Sequence, residues 1–144
     1  MNYGRKDLMK IDEILKHGIL IGSRQMGVNK DESSDYDLVI LKENVLKVLD
    51  GEELKSCISV EELNGRYEGQ EVWGYDLVDI AKFINEDGII VNLFIYDCEL
   101  TYKKFIELNK IIDMIDREKL KNRDYRIEKY IDALELCKIS TGAR

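Results

Sequence analysis

Proline is absent from the 144 residues, and histidine occurs once, at His17. A chain with no proline and eight tyrosines does not have the make-up of a linker or a disordered segment. The three cysteines, Cys57, Cys98 and Cys137, lie far apart and form no CxxC pair. With a single histidine beside them, a tetrahedral zinc site lacks its ligands. Free thiols in a reducing compartment are the expectation. Long hydrophobic runs are missing too. Apolar runs such as Ile89 to Val91 and Leu93 to Ile95 are only a few residues long, far short of the roughly 20 residues that span a bilayer. The first 18 residues are charged and hold no apolar stretch of the signal-peptide kind. A cytoplasmic location with no membrane partner is therefore expected.

What is present is a well-mixed globular composition, 44% hydrophobic and 35% charged, with a net charge of −7. That sign argues against strong non-specific binding to nucleic acid. The charge is uneven: residues 1–101 hold 11 basic and 21 acidic side chains, and residues 102–144 hold 11 and 8. An acidic front and a mildly basic tail suit a metal-centred site followed by a helical extension, and equally a solvated surface.

Hydrophobic spacing predicts a helix over 5–17 from Leu8, Ile11, Ile14 and Leu15, with Gly18 as its stop. Ile19-Leu20-Ile21 reads as a short strand ending at Gly22-Ser23, residues 24–34 as a loop, and Tyr36 to Leu41 as a second strand. A short helix is expected over 43–50. Strands are expected over 56–63 and 69–75, joined at Asn64-Gly65. Leu77, Ile80, Ala81 and Ile84 fall at helical spacing over 76–85, and Ile89 to Tyr96 reads as a core strand. Two helices, 101–116 and 118–139, complete the chain, with Thr101 as a candidate cap. Ile106, Ile111, Ile115, Ile127, Tyr130, Ile131 and Leu134 form their apolar faces. Grouped strands followed by helices indicate an α+β domain, a mixed sheet with flanking helices.

The chemistry concentrates between Gly18 and Leu41. Gly22 removes a side chain where backbone must come close to a ligand. Ser23 adds a hydroxyl beside backbone N–H groups, and a helix starting there would favour phosphate. Asp35 and Asp37 are two apart at the start of a strand, so both carboxylates face one side. Two such carboxylates repel unless a cation lies between them. Mg²⁺, held by one or two carboxylates together with phosphate oxygens, resolves that conflict.

Gly22-Ser23-Arg24, Gly27 and Ser34-Asp35-Tyr36-Asp37-Leu38 together resemble the signature of DNA polymerase β-type nucleotidyltransferases. The form is similar to the bacterial and phage branch with a GSRxxG…SDYD pattern. Tyr75-Asp76-Leu77 and Lys82-Phe83 resemble the start of a later helix in that branch. The likeness covers residues 18–97. It implies a polymerase β-like nucleotidyltransferase fold, with a core over residues 1–100 and a C-terminal helical extension over 101–144, in the same structural domain or packed on it. It further implies Mg²⁺-dependent transfer of a nucleoside monophosphate from an NTP to a hydroxyl acceptor, whether small molecule, protein or RNA. Asp35 and Asp37 would bind two ions, and Gly22 and Ser23 the triphosphate. The third catalytic position falls at Asn92, where the family pattern has a carboxylate. A neutral amide takes no proton and supplies no charge, so a two-ion site is weakened. The second expectation is thus a nucleotide-binding or partner-binding protein with impaired turnover. Asp97, Glu99, Asp76 and Asp79 are candidate substitutes for the lost carboxylate.

Other assignments stay open on sequence alone. Arg24 could meet a phosphate or pair with Glu32 or Asp31. Ser34 could support the aspartates or serve the turn. Lys82 could contact triphosphate from a helix or be a surface residue. Trp73 and Tyr75 could stack a base or pack between strands. The run Arg117, Lys119, Lys121, Arg123, Arg126 and Lys129 could form a solvated face or an RNA surface. An α+β domain without a nucleotide site is the plainest alternative.

Overall fold

The computed structural model describes residues 10–49 and 77–137. The strands expected over 56–63 and 69–75 lie outside the described residues, as do Cys57, Trp73, Tyr75 and Asp76. Helix α1 (Ile11–Ile14) continues as a 3-10 turn, Leu15–His17. Gly18 follows in an extended conformation, φ −152°, rather than as a left-handed helix stop. Strand β1 (Ile19–Ile21) leads straight into helix α2 (Gly22–Met26), and β2 (Tyr36–Leu41) runs back beside β1. A 3-10 segment, Lys42–Lys47, occupies part of the helix expected over 43–50. Strands β3 (Leu77–Ile84) and β4 (Ile90–Tyr96) come next, then helices α3 (Glu99–Asp113), α4 (Arg117–Leu120) and α5 (Arg123–Leu136).

Among the described residues the four strands form one mixed sheet in the order β1-β2-β4-β3. β1 pairs antiparallel with β2, β2 parallel with β4, and β4 antiparallel with β3. This is an α+β architecture with helices on both sides of the sheet. One face packs Ile21, Val39, Ile80, Phe94 and Tyr96 against Phe105, Leu108 and Ile112 of α3 and Tyr130, Ala133 and Leu134 of α5. The other packs Leu38, Ile40, Ala81, Phe83, Leu93 and Ile95 against Ile14, Val45, Val48 and Leu49. Because both faces are covered, Leu38, Val39 and Ile40 are all fully buried in succession. Such continuous apolar runs belong to strands covered on two sides. Among the described residues no helix is long and apolar enough to cross a membrane.

The segment 76–85 corrects the sequence reading: from Leu77 to Ile84 it is a strand, not a helix. Ile80 faces the α3–α5 side while Ala81 and Phe83 face the other, so burial falls on both sides and mimics helical spacing. Ile84, assigned to the apolar helix face, is 60% exposed. Asn85 makes the turn into β4. Its Oδ1 accepts from the backbone N–H groups of Asp87 and Ile89 at 3.0 and 2.9 Å, and its own N–H donates to the Ile89 carbonyl. What reads as a helix end is a hairpin.

The C-terminal helices also divide differently. The helix expected over 118–139 is two, because Asn122 interrupts it and caps α5 by accepting from the Tyr125 N–H at 2.9 Å. Helix α3 begins at Glu99, so Thr101 is a buried first-turn residue and Cys98 holds the cap position. Ile106 is 45% exposed instead of part of the packed face, which Phe105, Leu108 and Ile112 supply.

Candidate functional site

The site forms where β1 gives way to α2. Register places Ile21 of β1 opposite Asp37 of β2, so the next residue, Gly22, bends over the Asp37 side chain. Gly22 has φ +77°, and a Cβ there would lie 2.5 Å from Asp37 Oδ2. Both the left-handed backbone and the carboxylate beneath it require glycine. Ser23 follows, half-buried, and its hydroxyl makes no hydrogen bond among the described residues. Helix α2 has five residues and ends in a Schellman arrangement. The Val28 N–H donates to the Ser23 carbonyl at 2.9 Å and the Gly27 N–H to the Arg24 carbonyl at 3.2 Å, with Gly27 at φ +73°. The second glycine of the motif therefore turns the chain away from the site. So short a helix has little macrodipole, and any anion would be met by individual N–H groups.

Arg24 meets Glu32 through the backbone carbonyl and not through the carboxylate. Its guanidinium donates to the Ser34 carbonyl through Nε at 3.3 Å and Nη2 at 2.9 Å, and also to the Glu32 carbonyl. It lies over the Tyr36 ring at 4.0 Å. Arg24 thus ties the loop before β2 to α2. Ser34 belongs to the same loop: its Oγ accepts from the Asp31 N–H at 3.2 Å. Asp31 in turn accepts from the N–H and hydroxyl of Ser33, which hold its carboxyl below the usual range. These contacts fix where Asp35 enters β2.

Asp37 is the half-buried acid of the site. Burial pushes its carboxyl up to about 6, the Asn92 amide pulls it part of the way back, and the charge of Asp35 adds to the rise. Asp35 itself is exposed just before the strand. Asn92 stands directly opposite Asp37 across the parallel β2–β4 pair, and its Nδ2 donates to Asp37 Oδ1 at 2.9 Å. Lys82 lies opposite Asn92 on β3. Directly opposed residues share a sheet face, so Lys82, Asn92 and Asp37 form one row, with Lys82 exposed at its end. The helix assigned to Lys82 in the sequence would not have given that row.

None of the substitutes for a third carboxylate that fall among the described residues reaches this row. β4 runs unbroken to Tyr96, and Asp97 lines a shallow pocket with Leu41, Lys42, Glu43 and Leu46 at the far ends of β2 and β4. Glu99 pairs with Lys103 at 2.8 Å. Asp79 lies opposite Ile95, whose side chain packs on the other sheet face, and its Oδ1 accepts from the Ile80 N–H. Among the described residues no three His, Cys, Asp or Glu side chains group as a metal site.

Sequence spacing gave no sign of the side chains that hold α2 from behind. Gln25 Nε2 donates to Asp113 Oδ1 at 3.0 Å, Arg117 donates to the same oxygen at 2.9 Å, and Asn109 donates to the Leu20 carbonyl at 2.8 Å. These partners lie 88 and 89 residues apart in two of the three contacts. Tyr130 of α5 is buried on the same sheet face. Its phenol is raised by burial and further by the charge of Asp37. The basic run on α4 and α5 is largely spent internally: Arg117 on Asp113, Lys121 on Glu118, Lys129 on Asp132, and Arg126 on the Leu120 carbonyl. That pattern suits a solvated helix face.

The donor set suits one divalent cation. Asp37 Oδ2 is directed toward Gly22, and its half-buried carboxylate has a raised proton affinity that a cation would relieve. Asp35 adds a second carboxylate. Comparison with protein-family models, with curated proteins and with solved structures gives no match.

Proposed function

We infer that the chain is a nucleotidyltransferase of the polymerase β type, transferring a nucleoside monophosphate from an NTP to a hydroxyl acceptor. The observation that carries this is the Asp37 carboxylate lying beneath the left-handed Gly22 bend, with Asp35 beside it. That is the arrangement the GSR…SDYD resemblance implies. Asp35 and Asp37 Oδ2 would hold Mg²⁺, which neutralises charge on the triphosphate when bound. Gly22 leaves room for phosphate to approach, and the Ser23 hydroxyl and adjacent N–H groups donate to its oxygens. Arg24 and Ser34 act from below, fixing the loop. In the transfer, the acceptor oxygen bonds to the α-phosphorus, the bond to pyrophosphate breaks, and the hydroxyl proton passes to solvent water. Asn92 cannot take that proton.

The Asn92–Asp37 hydrogen bond favours a second reading: the same nucleotide site with slow turnover, working as a binding protein. One experiment separates the two. Each NTP is incubated with Mg²⁺ and candidate acceptors, and pyrophosphate is measured beside calorimetric binding. Release that disappears in Asp37→Ala supports the enzyme, and binding without release supports the binding protein. Absence of binding at millimolar nucleotide rejects both.

A further inference from the structure

Asp37, Asn92 and Lys82 stand abreast on three neighbouring strands, an acid, an amide and an ammonium in that order. Building on the nucleotide-site reading above, we propose that this site takes one divalent ion, not two, and that Lys82 supplies the second positive charge toward the triphosphate.

The two oxygens of Asp37 are not equivalent. Oδ1 accepts the 2.9 Å bond from Asn92 Nδ2. Facing a carboxylate, the amide must present its NH₂, because its carbonyl would meet another acceptor. An amide nitrogen has no lone pair for a cation, and its hydrogens repel one. Oδ2 looks the other way, toward Gly22. Asp37 Oδ2 and Asp35 would hold an ion together with phosphate oxygens, in keeping with the usual Mg²⁺ preference for few carboxylates plus phosphate. A second ion on the β4 side would face the NH₂ group.

Lys82 can take that role. It is exposed, and no carboxylate pairs with it among the described residues. With strands about 4.8 Å apart, its backbone is about 10 Å from that of Asp37, and its flexible stem carries the ammonium out over Asn92. A compact point charge suits phosphate oxygens. It also needs no deprotonated ligand, so a neutral residue at position 92 suffices beside it.

The test is Mn²⁺ electron paramagnetic resonance on the full chain with α,β-imido analogues of the four ribonucleoside triphosphates, each used alone. Wild type, Lys82→Ala, Lys82→Arg and Asn92→Asp are compared. Wild type should bind one Mn²⁺ per nucleotide, with the spectrum of an isolated ion. Lys82→Ala should keep that stoichiometry but bind nucleotide about tenfold more weakly or worse, as expected when a charge-assisted contact is lost. Lys82→Arg should recover most of the affinity. Asn92→Asp should take up a second, exchange-coupled ion. A coupled pair in wild type, or Lys82→Ala binding nucleotide as well as wild type, overturns the proposal and leaves the nucleotide site standing. No analogue bound by any of the four proteins overturns the site and the proposal together. Lys82 is exposed, so its variants carry the test even if Asn92→Asp folds poorly.

Discussion

The β1–α2–β2 segment and the β3–β4 hairpin share one sheet but build the site in different ways. The first packs its chemistry into a short stretch: Gly22, Ser23, Asp35 and Asp37 all come from a single strand-bend-strand unit held by Arg24 and the Ser34 loop. Its contribution is backbone and negative charge. The second contributes Asn92 and Lys82, a neutral group and a cation, brought beside Asp37 only by strand register. On the function proposed above, the motif half would set where a cation and phosphate belong, while the hairpin half would set how much charge the site can hold. A site of this kind can keep its recognisable signature and still change its chemistry through residues more than fifty positions away.

The largest effect should come from removing the shared residue. Asp37→Ala is expected to lower Mg²⁺-dependent nucleotide affinity by about a hundredfold or more, since loss of a ligating carboxylate takes away a charged contact. Titration calorimetry with and without EDTA reads it. If the motif half were only a turn, affinity would not move.

Asp37 also gives the metal-free protein a distinctive pH response. Its carboxyl is raised from 3.8 to about 6 by folding. Between those values the native state binds more protons than the unfolded state, so stability from this group is present below pH 4 and falls as pH rises toward 6. The loss is about 3 kcal/mol at most. Denaturant unfolding of wild type against Asp37→Asn should show the variant gaining relative stability over that window and staying level above pH 7. The same proton must leave before a cation binds, so Mn²⁺ affinity should climb close to tenfold per unit below pH 5, about fivefold from pH 5 to 6, and then flatten.

Gly22→Ala tests the bend itself. A Cβ 2.5 Å from Asp37 Oδ2 at φ +77° should cost about 2 kcal/mol in stability and displace the carboxylate, weakening metal binding as well. Gly88→Ala is a control: φ is also positive there, but nothing lies within 4 Å of the added atom. It should lose about 1 kcal/mol and leave metal binding unchanged.

Among the site variants Arg24→Ala should have the smallest effect, about 1 to 2 kcal/mol from the lost carbonyl contacts and the Tyr36 stacking. Arg24→Lys should recover little, because the fork geometry is what the loop uses. A loss of nucleotide affinity with unchanged stability would mean that Arg24 reaches phosphate after all.

The same division explains what was legible in the sequence. Residues 19–21, 36–41 and the Ile89–Tyr96 region announce strands because their apolar runs are short and bounded by turn residues. Gly22 and Asp37 could be named because local spacing puts them together. Leu77–Ile84 misled because burial on both faces of a strand imitates a helical stripe. With that error, Lys82 could not be seen in the row. The break at Asn122 was also missed: the chain has neither glycine nor proline there, and the capping amide was the only signal. The tie from Gln25 to Asp113 leaves no local trace, because its partners meet only after the C-terminal helices dock, whereas the Arg117–Asp113 pair beside it is a local i,i+4 contact.

The most direct measurement is calorimetric titration of an NTP into wild type and Asp37→Asn at pH 7.5, each with Mg²⁺ and with EDTA. Heat of binding is expected only for wild type with Mg²⁺. Equal binding by Asp37→Asn, or binding that persists in EDTA, would contradict a cation held beneath the Gly22 bend.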